Sequence, residues 1–128
     1  MKIWIDDVRP APDGYVWCQT VKEAKGIVIL QEERVRWCRD IHKAISLGYF
    51  KHESAEAWKK QAEEAIIELI NIDHDAGDYA HDGGDYIKLL DWLEETGRSY
   101  PIRIHSMNSV GVENMRRIIQ KNGWTEVK

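Results

Sequence analysis

Short apolar, β-prone runs alternate with longer segments of helical periodicity along most of the chain. The first run, residues 3–5, contains no polar residue, as expected of a strand that is covered on both faces. Similar runs occur at residues 15–18, 66–72 and 101–104. The alternation of such strands with helices predicts an α/β three-layer sandwich built on a mainly parallel sheet.

Four segments carry the periodicity and the end signals of helices. The first is expected to run from Thr20 to about Glu33, because Thr20 and Glu23 form a capping box. A second, residues 54–66, places apolar side chains at helical spacing. The remaining predictions are a helix over residues 86–97, a helix that begins after Asn108 or Ser109, and an edge strand over residues 124–127.

The composition indicates a globular protein of one domain, residues 1–128. The chain is 43% apolar and 31% charged, and its longest purely apolar run, residues 27–30, is too short to cross a bilayer. The first residues reach the acidic pair Asp6-Asp7 at once, so no signal peptide is expected. Cys18 and Cys38 have neither disulfide nor zinc spacing, which favours two reduced thiols in a cytoplasmic protein.

Charge and aromatic content limit the partners that the chain is expected to bind. A net charge of −4 argues against generic wrapping of a DNA or RNA backbone, although a local basic patch is compatible with it. We interpret most of the six tryptophans as core or cleft-lining residues. Residues 34–51 are basic and include aromatic side chains, and we interpret them as a solvated helix face rather than a surface for a nucleotide-like substrate.

Polar clusters follow directly on three of the predicted strands. They are Asp6-Asp7 with Arg9, Asp73-His74-Asp75, and His105-Ser106 with Asn108. In open parallel α/β sheets, ligands bind beyond the carboxyl ends of the strands. Because parallel strands end at the same edge of a sheet, we expect these clusters to converge into a phosphate-handling site.

The carboxylates of these clusters would repel one another unless a cation offsets their charge. Asp6, Asp7 and Asp73 therefore form a candidate magnesium site, since Mg²⁺ prefers oxygen ligands. The alternative is that one carboxylate caps a turn and the others are solvated. No motif indicates an organic cofactor.

His74 and His105 are candidate catalytic residues. A neutral imidazole accepts a proton and an imidazolium donates one near neutral pH, so two histidines on either side of a phosphate suit an in-line displacement. The neighbouring Asp73 or Asp75 could orient His74, and His105 has a hydroxyl and an amide residue close by in sequence. The alternative for either histidine alone is a structural role.

Arg9, Ser106 and Asn108 are candidate phosphate-binding residues. The guanidinium fork of Arg9 can hold a phosphate through two parallel hydrogen bonds. Ser106 and Asn108 precede a predicted helix N-terminus, where neutral donors and the helix dipole favour an anion. The alternatives are a salt bridge from Arg9 to Asp7 or Asp13, and simple helix capping by the two polar residues.

The order of these clusters resembles the receiver domains of response regulators. The resemblance implies that Asp6-Asp7 holds magnesium, that Asp73 is the central phosphate-accepting residue, and that Ser106 is the later hydroxyl residue. The chain departs from that pattern at residues 10–14, whose two prolines leave no room for a first helix between the first two strands. It also has no Lys-Pro pair at the end of a last strand.

The chain resembles more fully a receiver-like family proposed to process cyclic phosphates. The matching motifs are Asp6-Asp7-Val8-Arg9, Asp73-His74-Asp75-Ala76-Gly77, Gly84-Asp85-Tyr86, and His105-Ser106-Met107-Asn108 followed by Gly111 and Met115. The match leaves out about residues 31–65, which we interpret as a helical insertion. The resemblance implies a flavodoxin-like fold in which His74 and His105 replace aspartyl-phosphate signalling.

Together the residues and the resemblance predict a phosphoesterase or cyclic-phosphate hydrolase. Its substrate would be a phosphorylated small molecule, a nucleotide or an RNA end. One alternative is a non-catalytic receiver or nucleotide sensor in which Asp73 accepts a phosphoryl group. Another is a protein-interaction module that uses residues 31–65 as its binding surface.

Overall fold

Four short strands form one parallel sheet in the computed structural model, which describes residues 1–128. The strands are β1 (Lys2–Ile5), β2 (Tyr15–Cys18), β3 (Leu69–Ile72) and β4 (Ile102–Ile104). Their order across the sheet is β2-β1-β3-β4, and every neighbouring pair is parallel. The carboxyl ends of all four strands therefore lie at one edge, as the sequence predicted.

The helices follow the strands in the order expected of an α/β fold. They are α1 (Val21–Ser46), α2 (Ala55–Ala65), α3 (Ile87–Glu95) and α4 (Ser109–Asn122), with a short 3₁₀ helix at Gly77–His81. The parallel sheet with its four α-helices confirms the predicted receiver-like α/β fold. Residues 6–14 between β1 and β2 contain no helix, which confirms that the first helix is missing.

Helix α1 is longer than the sequence predicted. The Oγ1 atom of Thr20 accepts a hydrogen bond from the backbone N–H of Glu23 at 2.9 Å, so Thr20 caps the start of the helix as predicted. The helix ends at Ser46 rather than near Glu33. No glycine or proline interrupts the residues between these two positions, and the chain first turns at Gly48, whose φ is 96°.

Two predicted strands are shorter in the structure. Residues 66–68 lie outside β3 because Ile66 forms the C-cap of α2, with its N–H bonded to the carbonyl of Glu63. The predicted edge strand over residues 124–127 is reduced to a single bridge between Ile102 and Glu126. The bridge is parallel and extends the sheet beyond β4 at one position only.

The two faces of the sheet differ in character. Residues that pair in register on neighbouring strands project to the same face, and successive residues alternate. One face is made of buried aliphatic side chains, among them Ile3, Ile5, Ile70, Ile72 and Ile102. The opposite face carries Lys2, Trp4, Tyr15, Trp17, Leu69, Asn71 and Arg103.

The helical connections explain this asymmetry. The crossovers from β2 to β3 and from β3 to β4 run in the same direction across the sheet. Parallel connections are right-handed in nearly all proteins, so the crossover from β3 to β4, which contains α3, leaves the sheet on one face only. Helices α3 and α4 also pack against each other. No helix follows β1, so the β1–β2 connection places no helix on the face that carries Trp4 and Trp17.

The chain divides into two compact units. The first comprises residues 1–26 and 67–128 and contains the sheet, and the second comprises residues 27–66. The second unit is the larger part of α1 together with α2, which Ser54 caps by accepting a hydrogen bond from the N–H of Ala57. It corresponds to the predicted helical insertion at about residues 31–65. The organisation of residues 1–128 as one domain stays a prediction.

None of the six tryptophans belongs to the buried core. The largest fully buried side chain is Tyr86, whose hydroxyl donates to the carbonyl of Gln19 at 2.7 Å. Trp17 and Trp37 are 39% and 62% exposed. A core position is therefore wrong for the tryptophans, whereas their interpretation as cleft-lining residues stays a prediction.

Both cysteines are buried and unpaired. Burial, together with the negative charge of Glu23, raises the pKa of the Cys18 thiol to about 12. That thiol therefore stays protonated and is a poor nucleophile at neutral pH. None of the helices combines the length and the apolar character needed to cross a membrane.

Candidate active site

Asp6 is the fully buried centre of the cluster at the end of β1. Its Oδ1 atom accepts hydrogen bonds from the backbone N–H groups of Val8 and Arg9, at 3.0 and 2.8 Å. Its Oδ2 atom lies 2.9 Å from both Nε of Arg9 and Nε2 of His105. Burial alone would raise the pKa of Asp6, but these hydrogen bonds and the Arg9 charge outweigh it and hold the pKa below its ordinary value.

His105 has both ring nitrogens engaged within the chain. Its Nε2 atom must carry a proton to bond the Asp6 carboxylate, which only accepts, and its Nδ1 atom lies 2.6 Å from Oδ1 of the buried Asn71. The imidazole also stacks on Trp4, with ring centroids 3.8 Å apart and the planes 9° from parallel. Burial lowers the pKa of His105 below its ordinary value, although Asp6 opposes the shift.

Arg9 joins Asp6 to the end of β3. Its Nη2 atom lies 3.4 Å from Oδ2 of Asp73 and also donates to the carbonyl of His105 at 3.4 Å. The other carboxylate oxygen of Asp73 accepts the N–H of His74 at 2.7 Å. Arg9 thus forms a salt bridge, as one prediction allowed, but with Asp6 and Asp73 rather than Asp7 or Asp13. Its side chain remains 48% exposed, so part of the guanidinium faces solvent.

Three carboxylates lie close enough to share one cation. One oxygen from each of Asp6, Asp7 and Asp73 lies within 4.8 Å of the others. Burial, followed by the charges of Asp6 and Asp73, raises the pKa of Asp7 above its ordinary value. A set of oxygen donors with unbalanced negative charge has the chemistry that Mg²⁺ prefers, so these residues fit the predicted ion.

His74 and Asp75 form a separate pair beside helix α4. The Nδ1 atom of His74 lies 2.9 Å from Oδ1 of Asp75, and this hydrogen bond, although opposed by some burial, lowers the pKa of Asp75. The ring packs against Gly111, where a side chain would overlap it. Its Nε2 atom makes no hydrogen bond within the chain, and the side chain is 15% exposed. His74 is therefore the histidine of the site with a ring nitrogen left for a ligand.

Asn108 connects this pair to the N-terminus of α4. Its Oδ1 atom accepts the N–H of Gly111 at 2.9 Å, which caps the helix, and its Nδ2 atom donates to Oδ2 of Asp75 at 3.3 Å. The Oγ atom of Ser106 accepts the N–H of Asn108 at 3.1 Å. The capping role that the sequence allowed for Asn108 is confirmed, and the same side chain also holds Asp75 in place.

A family model described as the cyclic-phosphate processing Receiver domain matches residues 1–121. The chain belongs to this family. No curated protein and no solved structure matched the chain. The match confirms the resemblance found in the sequence motifs and extends over the inserted helical unit as well.

The structure of this Receiver domain brings the predicted site residues together at one edge of the sheet. A continuous chain of contacts runs through them in the order His105, Asp6, Arg9, Asp73, His74, Asp75, Asn108 and Ser106. Asp7 lies within reach of the Asp6 and Asp73 oxygens. The two histidines differ in their surroundings, however, because only His74 keeps a ring nitrogen free.

Sequence reasoning did not find the roles of three residues that shape the site of this Receiver domain. Asn71 bonds His105, Trp4 stacks on it, and Gly111 makes room for the ring of His74. Asn71 carried a usable signal, since a polar residue inside an apolar strand usually has a buried hydrogen-bond partner. Trp4 and Gly111 gave no such signal, because their roles depend on contacts between distant segments.

Replacing Gly111 with Ala should displace the ring of His74. A Cβ atom at this position would overlap Cγ of His74. We expect the His74–Asp75 hydrogen bond to weaken and the free energy of unfolding to fall by about 1–3 kcal/mol. Imidazole ¹⁵N chemical shifts would report the ring, and chemical denaturation would report the stability.

Gly26→Ala is the matched control for this substitution, because a Cβ atom there meets nothing within 4 Å. It lies inside α1 and should stabilise the protein by up to about 1 kcal/mol through helix propensity. Unchanged His74 resonances in Gly111→Ala would contradict the packing described for the ring.

Proposed function

We propose that this Receiver domain is a phosphoesterase that acts on a cyclic or terminal phosphate of a nucleotide or an RNA end. The observation that carries the proposal is the His74–Asp75 pair, which leaves Nε2 of His74 free beside the N-terminus of α4. The family description, which names cyclic-phosphate processing, supports the same substrate class.

The His74–Asp75 pair suits general base catalysis. With Nδ1–H donated to Asp75, the neutral imidazole presents a lone pair at Nε2 that can accept a proton from water. The oxygen of that water then bonds phosphorus while the bond from phosphorus to the sugar oxygen breaks, and the departing oxygen takes a proton from solvent. Asp75 stabilises the imidazolium that forms, as a carboxylate does when it orients a catalytic histidine.

Three groups of the same cluster could donate hydrogen bonds to the phosphate. The half-exposed guanidinium of Arg9 can turn free N–H groups toward a phosphoryl oxygen. The Ser106 hydroxyl accepts a bond from Asn108 and keeps its own proton to donate. The N-terminus of α4, capped by Asn108, adds the positive end of a helix dipole.

The predicted histidine pair divides into two roles in this proposal. His74 moves the proton, because its Nε2 is available. His105 acts as a positioning residue, because Asp6 and Asn71 occupy both of its nitrogens. Its bond to Asp6 in turn holds the carboxylate against Arg9, and so fixes the guanidinium that faces the substrate.

Magnesium would be held by Asp6, Asp7 and Asp73, and it would neutralise negative charge near the phosphate. Asp7→Asn should remove Mg²⁺ binding and also stabilise the protein when the ion is chelated. The pKa of Asp7 is raised in the folded state, so its ionised form costs stability at every pH above its ordinary value of 3.8. Removing that charge should therefore raise Tm at pH 7 in a chelator.

Thermal melts with and without Mg²⁺ would measure both effects of Asp7→Asn. Asp78→Asn is the control, since Asp78 is an exposed carboxylate in the 3₁₀ helix and lies outside the cluster. A Mg²⁺-induced rise in Tm that persists in Asp7→Asn would exclude the carboxylate cluster as the binding site.

A screen of phosphoesters tests the proposed activity. Purified protein would be incubated with 2′,3′-cyclic and 3′,5′-cyclic nucleotides, nucleoside monophosphates and short RNAs with each type of phosphate end, with and without Mg²⁺. We expect cleavage of at least one cyclic or terminal phosphate. Absence of turnover on every member of the panel, by protein that is folded in both conditions, would refute the proposal.

A phosphate-accepting role for Asp73 is the second candidate function. Asp73 is 8% exposed and lies beside Asp6 and Asp7, the arrangement that the receiver resemblance implies for a phosphoacceptor. Incubation with acetyl phosphate and Mg²⁺ followed by intact-mass measurement separates the two functions. A phosphoryl adduct that disappears in Asp73→Asn, without phosphoester turnover, would favour signalling.

A further inference from the structure

We propose that the face of the sheet opposite the buried aliphatic core binds the bases of single-stranded RNA, whose terminal phosphate enters the active site. We call it the aromatic face, and it consists of Lys2, Trp4, Tyr15, Trp17, Leu69, Asn71 and Arg103. The assignment of the terminal phosphate rests on the proposed function, whereas the base-binding surface rests on the residues of this face.

Strand register arranges these residues in two rows that lead to the site. Trp17, Trp4, Asn71 and Arg103 form one row across all four strands, and Tyr15, Lys2 and Leu69 form the row behind it. Two residues along a strand advance the chain by about 7 Å. One further step of two residues reaches Asp6, Asp73 and His105, so the aromatic face ends at the active site.

The aromatic rings of this face are accessible and held in fixed orientations. Trp17 is 39% exposed, and Trp4 and Tyr15 are partly exposed. The indole N–H of Trp17 donates to the carbonyl of Asp6, and that of Trp4 donates to the carbonyl of Arg9, both at 2.8 Å. Rings fixed in this way lose little conformational freedom when a base stacks on them.

The charge of the aromatic face complements a nucleic acid although the whole chain is acidic. Lys2 and Arg103 are exposed, and the face contains no carboxylate among its strand residues. Lys2 lies 5.7 Å from the centre of the Tyr15 ring, so the cation sits at the aromatic surface itself. Surfaces that bind single-stranded nucleic acid combine aromatic rings, on which bases stack, with cations that contact the backbone.

Trp4 connects the aromatic face directly to the active site. Its ring stacks on His105, which bonds Asp6, and Asp6 in turn bonds Arg9. A nucleotide that stacks near Trp4 therefore lies next to the residues proposed to hold its phosphate. The aromatic face ends at the active site, so a strand that lies along this face reaches the catalytic residues with its terminal phosphate. This geometry favours an RNA end over an internal phosphodiester.

Binding of a short RNA with matched tryptophan variants tests the proposal. The probe is a 5′-fluorescein-labelled hexauridylate with a 3′-phosphate, followed by fluorescence anisotropy with the wild-type chain and with His74→Gln. We expect Trp17→Ala to weaken binding about five- to hundredfold, the effect of losing one stacked base. Arg103→Gln should weaken binding and reduce the salt dependence.

Trp37→Ala and Arg36→Gln are the controls, because both residues are exposed in the inserted unit and lie outside the aromatic face. Both variants should bind the RNA with a Kd within about twofold of that of the wild-type chain. Equal weakening in Trp17→Ala and Trp37→Ala, or none in Trp17→Ala, would overturn the proposal. So would a wild-type dimer that Trp17→Ala dissociates while RNA binding stays unchanged, because the face would then be a contact between copies of this chain.

The same variants separate this proposal from the phosphoesterase activity. RNA binding that depends on Trp17, without cleavage of any phosphoester, would refute the proposed reaction and keep the base-binding face. Cleavage of a cyclic mononucleotide, together with hexamer binding that does not depend on Trp17, would refute the base-binding face and keep the proposed reaction. If both proposals hold, Trp17→Ala should raise KM for the oligonucleotide by a larger factor than KM for the mononucleotide, and any change in kcat should be the same for both substrates.

Discussion

Replacing His74 with Gln should lower kcat for phosphoester hydrolysis by about two to four orders of magnitude, the usual contribution of a positioned general base. Gln keeps the size and polarity of the side chain but cannot accept a proton from water. In this chain Nε2 of His74 is free, and Asp75 fixes the tautomer that leaves a lone pair there. The expected loss therefore falls on kcat rather than on substrate binding.

Two further variants make the His74 result specific. His52→Gln is the matched control, since His52 is exposed in the turn before α2 and should retain full activity. Asp75→Asn should lower kcat by a smaller factor, because it removes the partner that orients the ring but keeps the base. Steady-state kinetics with circular dichroism of each variant would measure these effects. A folded His74→Gln protein with undiminished kcat would show that another residue moves the proton.

Replacing Asp6 with Ala should destabilise the protein by about 2–4 kcal/mol, more than any surface substitution in this chain. Asp6 has no exposed surface and accepts hydrogen bonds from two backbone N–H groups, the guanidinium of Arg9 and the ring of His105. Alanine would leave each of these donors without its acceptor. The loss would be measured as the free energy of unfolding in urea.

Asp13→Ala serves as the control for this substitution, because Asp13 is an exposed carboxylate in the same loop and should cost less than about 0.5 kcal/mol. Equal stabilities of Asp6→Ala and Asp13→Ala would contradict the role of the buried network. Asn71→Leu should also destabilise the protein, because it removes the buried amide that bonds His105.

The pH dependence of stability follows from the same network. The pKa of His105 is lowered in the folded state, so its contribution is complete above its ordinary value of 6.5 and is lost as the pH falls toward the folded value. The pKa of Asp6 is also lowered, so its contribution is complete above 3.8 and is lost on further acidification. The wild-type chain should therefore lose stability on acidification. Asp6→Ala should lack the part of this loss that comes from protonation of Asp6.

The strand ends could be predicted from the sequence because each apolar run stops abruptly at a polar cluster. Parallel strands then place Asp6, Asp73 and His105 at one edge without any knowledge of the structure. The difference between His74 and His105 could not be predicted in this way. Both follow a strand, and only the positions of Asn71 and Gly111 show which ring is enclosed and which is free.

The open aromatic face was implied by the sequence but not recognised in it. Residues 10–14 already indicated that no helix follows β1. A right-handed helical connection from β1 to β2 is the one that would cover the aromatic face. Most of the tryptophans were nonetheless interpreted as core or cleft-lining residues. The exposure of Trp17 follows from the missing helix, whereas the stacking of Trp4 on His105 depends on tertiary packing and required the structure.

The most direct test of the proposed phosphoesterase is a ³¹P NMR time course with a 2′,3′-cyclic nucleotide and a 2′,3′-cyclic-ended RNA. With the wild-type chain, we expect the cyclic phosphodiester resonance to give way to that of a linear monoester, and with His74→Gln we expect it to persist. A cyclic resonance that stays constant with the wild-type chain, or that disappears equally fast with His74→Gln, would contradict catalysis by the His74–Asp75 pair.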